Sequence, residues 1–299
     1  MKVSSLSFSD FRAQIKNEGA FLETGPFTVH IRSSLRDVAE GIYRLYGQHP
    51  LAESNDFADF HITLDRPSGT RRWLRPQVVF SFDGHNPFKP LPLLQAFPMF
   101  EWTYNWCIAN HSNQYLILHA ACIEKNGRVA ILPGPPGAGK STLCATLVNN
   151  GWRLLSDELS LIDIFSGKMY GLARPVNLKN ESINIIRRNF PEAVMGRATS
   201  DTVKGTVAHM KAPDDSIERV MEPADARWII FPKYKAGTNA EIKPRSKACT
   251  FIYAAENSFN YSNLGNTGFE VLEKMINHVE CFDFSYSSLD EAVSVFNTL

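Results

Sequence analysis

The chain has 299 residues, of which 44% are hydrophobic and 21% charged, a balance that supports a sizeable core and excludes global disorder. Its 31 basic side chains offset 31 acidic ones, so a protein living on non-specific nucleic-acid binding, which carries a basic excess, is set aside.

In chain order, residues 1–24 read as a polar arm with a short helical stretch. FTVHI (27–31) alternates like a strand, and SLRDVAEGIYRLYG (34–47) places Leu35, Val38, Ile42 and Leu45 at helical spacing. FADFHITLD (57–65) and QVVFSFDG (77–84) alternate again, and HNPFKPLPL (85–93) is a proline-punctuated linker or ordered loop. A helix follows at about 97–110, with the aromatics of EWTYNW expected to pack an N-terminal α+β unit on the rest of the chain.

From Tyr115 the character changes. YLILHAACIE (115–124) and VAILP (129–133) are apolar strands joined at Asn126-Gly127, a pair that tolerates the two positive φ values of a type I′ turn. STLCATLVNN (141–150) is a helix closed by Gly151. WRLL (152–155) and LSLIDI (159–164) are strands separated by an acidic pair, with a turn at 165–168. ESINIIRRNF (181–190) is a short helix, 196–216 a long polar loop, and RWIIF (227–231) a buried strand. Helices near 267–279 and 288–297 end the chain, the second opened by a Ser288/Glu291 capping box.

The five cysteines contain no CxxC pair, and their odd number fits no closed disulfide framework, so reduced thiols are expected. No run of about 18 apolar residues and no N-terminal apolar h-region occurs, so the expectation is a cytoplasmic protein with no membrane and no nucleic-acid partner.

One motif carries chemistry. Gly134-Pro135-Pro136-Gly137-Ala138-Gly139-Lys140-Ser141 fits G-x-x-x-x-G-K-[ST], with a strand before it and a helix after it, and these eight residues with Thr142 are the candidate nucleotide-binding residues. Glycines let backbone N–H groups turn onto phosphate oxygens, the helix directs its positive end at the same anion, Lys140 reaches the β and γ phosphates, and the Ser141 hydroxyl can ligate Mg²⁺. Asp157-Glu158 follows 17 residues after Lys140. Two adjacent acids at the end of an apolar strand are costly unless a cation or donors offset them. One can hold Mg²⁺ and the other can take the proton of an attacking hydroxyl; Asp157 is read as the base and Glu158, with Ser141, as the metal side. His119 lies on the strand pair leading into the loop.

His119, the loop 134–141 and Asp157-Glu158 together resemble the C-terminal catalytic domain of HPr kinase/phosphorylase, which carries a histidine, a P-loop and an acidic pair in this order with a short interval. The chain is more similar still to the HPr-kinase-related kinase A subgroup, through TGPFTVHI, EWTYNW, LILHAACIE, GWRLLSDEL, ARPVNLKNESI, TVKGTVAHM, FPKYKAG and NSFNY. The resemblance implies an α/β chain: an α+β region at 1–112, then at 113–299 an HPr-kinase-like P-loop domain with a mixed β-sheet and flanking helices. It implies ATP and Mg²⁺ as cofactors, His119 as a site residue, and phosphoryl transfer to a peptide, protein or small hydroxyl substrate, with a homo-oligomer left open. The parent family's Arg-Gly-Leu-Gly type segment is replaced here by Gly171-Leu172-Ala173-Arg174-Pro175-Val176-Asn177, and residues 1–110 do not match the parent's regulatory domain, so HPr and phosphorolysis are not carried over.

Arg174 is the further catalytic candidate, with Lys179, for neutralising charge on the transferred group. Asn177 is a candidate for orienting substrate, and Lys204, in Thr202-Val203-Lys204-Gly205-Thr206, for touching phosphate or acceptor. His209 reads as structural. Arg71, Arg72 and Arg75 read as a solvated strand face. A nucleotide-gated module that binds a peptide and transfers little phosphate is the competing reading. A carboxykinase-like enzyme would need a His/Asp ligand cluster that the sequence lacks.

Overall fold

A computed structural model describes residues 1–53, 57–69 and 76–299; Arg71, Arg72 and Arg75 lie outside the described residues. Over the described residues the chain is a mixed α/β protein built on three sheets. The first takes its strands from the N-terminal region: β1 (Ala20–Thr24), β2 (Phe27–Ser33), β3 (Phe60–Asp65), β4 (Gln77–Phe82) and β5 (Leu91–Pro92), in that spatial order. Helices α1 (Phe8–Asn17), α2 (Arg36–Leu45) and α3 (Ala96–His111) accompany it. β1 falls in the segment expected as a polar arm. It is buried along nearly its whole length, so it lacks the alternation that marks a half-buried strand.

The second sheet has eight strands. β6 (Tyr115–Lys125) and β7 (Arg128–Pro133) form the expected hairpin, with Asn126 and Gly127 at φ 54° and 78°. Beyond β7 lie β14 (Asp225–Tyr234) and β16 (Glu280–Tyr286), each parallel to its neighbour, and then the antiparallel β15 (Glu241–Pro244). On the other edge of β6 lie β8 (Arg153–Ser156) and β9 (Leu159–Asp163), both antiparallel to it, with the short β10 (Met169–Tyr170) outside β9. Helix α4 (Lys140–Val148) follows β7, and Gly151 beyond it has φ 88° as a helix-closing glycine should.

The expected long loop at 196–216 is instead largely structured. β12 (Thr199–Thr202) and β13 (Gly205–Met210) form a hairpin that pairs with β11 (Val176–Lys179) in a third sheet. The polar composition misled because the turn of the hairpin and the start of β13 face water, while Thr199 and Val207 to Met210 are buried. The last helix (Leu289–Phe296) has half of its expected capping box. Ser288 Oγ accepts from the Glu291 amide at 3.3 Å, while the Glu291 carboxylate accepts from the Ala240 amide at 2.8 Å.

The strands of the first sheet lie before residue 112 and those of the second after it, but the cores do not stop there. Tyr115, Ile117, Leu159, Leu161 and Leu172 share a buried cluster with residues of the first sheet and with α3. The N-terminal region therefore packs against the β6/β9 half of the second sheet. Among the described residues, no helix is long and apolar enough to cross a membrane.

Candidate functional site

Strand pairing brings the sequence-predicted residues together at one level of β6. Ala120 pairs with Pro133, so the loop 134–139 leaves β7 directly beside Ala120. On the opposite edge, Cys122 pairs with Ser156 and His119 with Leu159. The two residues between those partners, Asp157 and Glu158, are released from the ladder opposite the same point of β6. His119 is the adjacent position. The 17-residue interval from Lys140 to Asp157 thus spans one helix out and one strand back across a single strand.

The loop opens at the C-terminal ends of three adjacent parallel strands, where open α/β sheets place ligands. Its glycines Gly134, Gly137 and Gly139 have φ of 151°, 84° and 93°, in the region that glycine adopts freely. A side chain at Gly139 is blocked for a second reason: a Cβ there would lie 2.6 Å from the Tyr286 hydroxyl. Tyr286 donates to the Gly139 carbonyl at 3.2 Å, and the Tyr234 amide donates to the Ala138 carbonyl at 3.1 Å, so the ends of β14 and β16 brace the loop. Pro135 and Pro136 are exposed at its tip. Ser141 and Thr142, half-buried, lie in the first turn of α4, whose N-terminus carries unpaired amides and positive potential. Lys140 folds its ammonium onto the carbonyls of Gly134 and Pro135, the latter at 3.1 Å. Burial lowers its pKa, against the pull of Asp157.

Asp157 is 7% exposed. Its Oδ2 accepts from the Asn177 amide at 3.0 Å, while its Oδ1 is buried with no partner. Burial and then repulsion from Glu158 push its pKa up to about 7, against the Asn177 amide, Lys179 and the Ser141 hydroxyl. Glu158 is better supplied. Asn105 Nδ2 donates to its Oε2 at 2.7 Å, Asn177 Nδ2 to its Oε1 at 3.3 Å, and Lys179 Nζ lies 3.8 Å from Oε1. Burial raises its pKa, but Lys204, Lys179, His119 and Asn177 outweigh burial and hold the carboxyl below its ordinary value. His119 packs on Phe259, with ring centroids 5.4 Å apart. Burial lowers its pKa, opposed by Glu158.

The sequence candidates therefore separate. Lys140, Ser141, Asp157, Glu158 and His119 converge, joined by Asn177, Lys179 and Lys204. Arg174 lines the same cavity, but its guanidinium is committed elsewhere. Its Nη2 donates to Glu101 Oε2 at 2.8 Å and to the Glu101 carbonyl at 3.0 Å, its Nε to the Tyr46 hydroxyl at 3.2 Å, and its Nη1 to Asn105 Oδ1. It also lies 4.2 Å from the centroid of the Tyr104 ring. This corrects the expectation that Arg174 neutralises a transferred phosphoryl group: its charge is already paired inside the protein, and it locks the N-terminal region to the sheet. His209 is buried, lines the same cavity and packs on Phe97; burial lowers its pKa, which fits the structural reading.

Two contributors escaped sequence reasoning. Asn105 joins Glu158 to Arg174, and Glu101 pairs with Arg174. Both lie in EWTYNW, where the aromatics drew the reading to packing alone. The available signal was an acid and an amide on the otherwise apolar helix α3.

A cavity of about 330 Å³ opens beside the acids, walled by α3, the turn of the β12–β13 hairpin and the segment 172–177. The loop 134–139, the helix start after it and the acids fit a nucleotide and a divalent cation. Glycines with positive φ form the loop, the helix N-terminus adds positive potential, and the buried Asp157 Oδ1 has no donor. Among the described residues no three His, Cys, Asp or Glu side chains cluster as a metal site. Mg²⁺ in phosphoryl-transfer sites usually takes one or two carboxylates, with phosphates and water completing its shell. No family model matches the chain, and no curated protein matches its sequence.

Proposed function

We propose that the chain is an ATP- and Mg²⁺-dependent kinase that transfers the γ-phosphoryl group to a hydroxyl, and that the region 113–299 is an HPr-kinase-like P-loop domain. The observation that carries this reading is the meeting of Lys140, Ser141, Asp157, Glu158 and His119 around one level of β6. The sequence resemblance to HPr kinase/phosphorylase supports it.

Lys140 would leave its loop carbonyls for the β and γ phosphates, and the loop amides would hold the phosphate oxygens in place. Mg²⁺, held by Ser141 and one acid, would supply charge neutralisation on the phosphates. The other acid would take the hydroxyl proton as the alcohol oxygen bonds to phosphorus and the bond to the ADP oxygen breaks. Asp157 is the base in the first assignment, supported by its unpartnered oxygen and its pKa of about 7, near the working range for a general base. The nearness of the Ser141 hydroxyl to Asp157 favours the exchanged assignment, with Asp157 on the metal and Glu158, which also lines the cavity, as base.

The test is phosphate transfer from labelled ATP to hydroxyl acceptors by the wild-type chain and by Lys140→Ala. Transfer that depends on Lys140 is expected. ATP binding with no turnover and no transfer to any acceptor would leave the nucleotide-gated module as the better reading.

A further inference from the structure

The cavity beside the acids has two kinds of surface. Its walls are apolar, with Pro98, Met99 and Trp102 from α3, Leu172 beneath, and Val203 and Val207 from the hairpin. Its floor is polar. Asp157 Oδ1 and Asn177 Oδ1 are both buried, and neither has a hydrogen-bond partner. The Asn177 side chain cannot resolve this by turning over, because its amide nitrogen is directed at Glu158. Glu101 is already engaged by Arg174 and Tyr46, and Asn105 by Glu158 and Arg174, while Lys204, which also lines the cavity, acts on Glu158. Buried acceptors without donors are rare in folded proteins, and at a cavity they mark what an occupant supplies.

We propose that this cavity holds the acceptor, and that the acceptor is an uncharged alcohol with an apolar body and a second hydrogen-bond donor. The inference rests on the kinase reading for its reaction, and on the cavity alone for the chemistry of the ligand. The hydroxyl faces Asp157, and a second O–H or N–H meets Asn177 Oδ1. The apolar body packs between Trp102, Met99 and Val203. An anionic alcohol is disfavoured by the two acids at the floor, since the nearby Lys179 and Lys204 already act on Glu158, and a purely polar one leaves the walls wet. A volume of about 330 Å³ is at the small end for ligand sites, so the occupant is a small molecule or one residue of a peptide. In the transfer its oxygen gains the phosphoryl group, its proton passes to the basic carboxylate, and ADP leaves.

The experiment uses the full chain and N-acetylphenylalaninol, which has the hydroxyl, the amide N–H and the apolar body. The comparison compounds are 2-phenylethanol, which lacks the second donor; N-acetylalaninol, which lacks the large apolar body; and 3-hydroxypropionate, which is anionic. Binding is read by calorimetry, independently of any transfer. N-acetylphenylalaninol is expected to bind at least tenfold more tightly than each of the other three. Val203→Asp, at a fully exposed wall position, and Trp102→Ala should each weaken that binding at least threefold, with melting curves confirming the fold. N-acetylseryl-phenylalaninamide, run alongside, separates a peptide source from a free alcohol. Equal or tighter binding of the anionic or small polar alcohol, no binding of N-acetylphenylalaninol, or indifference to both wall variants overturns the proposal. Tight binding without phosphate transfer from ATP sinks the kinase reading and leaves the cavity assignment standing. Transfer to the polar alcohols alone does the reverse.

Discussion

Arg174 and Glu101 form an ion pair at 2.8 Å with only 5% and 6% of their surfaces exposed. It joins helix α3 to the segment before β11, which hangs on β8 through the Leu172 and Ala173 amides, and so ties the N-terminal region to the sheet that carries the loop. Burying two charges is expensive, and removing one partner leaves the other uncompensated at a cost of roughly 3–5 kcal/mol. Glu101→Ala should therefore lower unfolding free energy by about that amount in urea titration. Replacing both residues with methionine should recover much of the loss. If Glu101→Ala unfolds at the wild-type urea concentration, the pair is not the clamp described here.

Lys140→Ala should weaken ATP binding or turnover at least tenfold, which is about 1.4 kcal/mol. The ammonium now rests on two loop carbonyls, so it is free to move to phosphate without breaking an ion pair. Because those carbonyl contacts are local, the melting temperature of the nucleotide-free variant should barely change. Equilibrium titration with ATP·Mg checks the first expectation and a thermal melt the second.

Much of this site was legible because its signals are local. A loop that is to wrap an anion has to be contiguous, as Gly134 to Ser141 are, and an acidic pair ending an apolar strand stands out against its neighbours. The pairing of His119 with Leu159 was not legible, since no local pattern says which edge of a strand its partner takes. Arg174 was misjudged for a related reason. Its partner Glu101 lies 73 positions away on a helix, and a basic residue near a P-loop looks the same whether or not its charge is already paired. β1 and the β12–β13 hairpin were missed from opposite causes. One is buried on both faces, and the other is exposed around its turn and buried in an unbroken run at the end of β13, so neither alternates. β16, with its Cys-Phe-Asp-Phe-Ser-Tyr run (281–286), does alternate over part of its length, but its place beside β14 depends on a crossover through helices.

The pKa of Asp157 sets a pH signature in the nucleotide-free protein. Its folded value of about 7 exceeds its ordinary value of 3.8, so the native state holds the proton more tightly than the unfolded chain. Its contribution is then fullest below pH 3.8 and is lost as pH rises through 7, at about 1.4 kcal/mol per pH unit between those limits. His49 gives the opposite slope. Burial pulls its pKa down to about 3, so its contribution is present above 6.5 and is lost as pH falls. The informative quantity is therefore the difference between wild type and Asp157→Asn, not the slope of either. The variant should gain stability relative to wild type as pH rises from 4 to 7, measured by urea unfolding at each pH. A difference that does not vary with pH would mean that Asp157 is ionised throughout.

The two acids can be told apart by pairing one substitution at each. Asp157→Asn keeps the size of the side chain and can still accept a hydrogen bond from the Asn177 amide, but it cannot take a proton. If Asp157 is the base, this variant should hold ATP·Mg at least as well as wild type, because one negative charge has left the phosphate pocket. Transfer should fall by about 10²-fold or more, the usual contribution of a positioned base. Glu158→Gln should then act on the metal side, raising the Mg²⁺ concentration needed for half-maximal activity while leaving metal-free ATP binding much less affected. If the roles are exchanged, the two results change places. Asp157→Asn would raise the Mg²⁺ requirement through loss of the carboxylate beside Ser141, and Glu158→Gln would abolish transfer at full nucleotide occupancy. Nucleotide titration, Mg²⁺ titration and phosphotransfer on the same preparations separate these patterns. Transfer that survives nearly intact in both variants would remove the carboxylate base from the mechanism altogether.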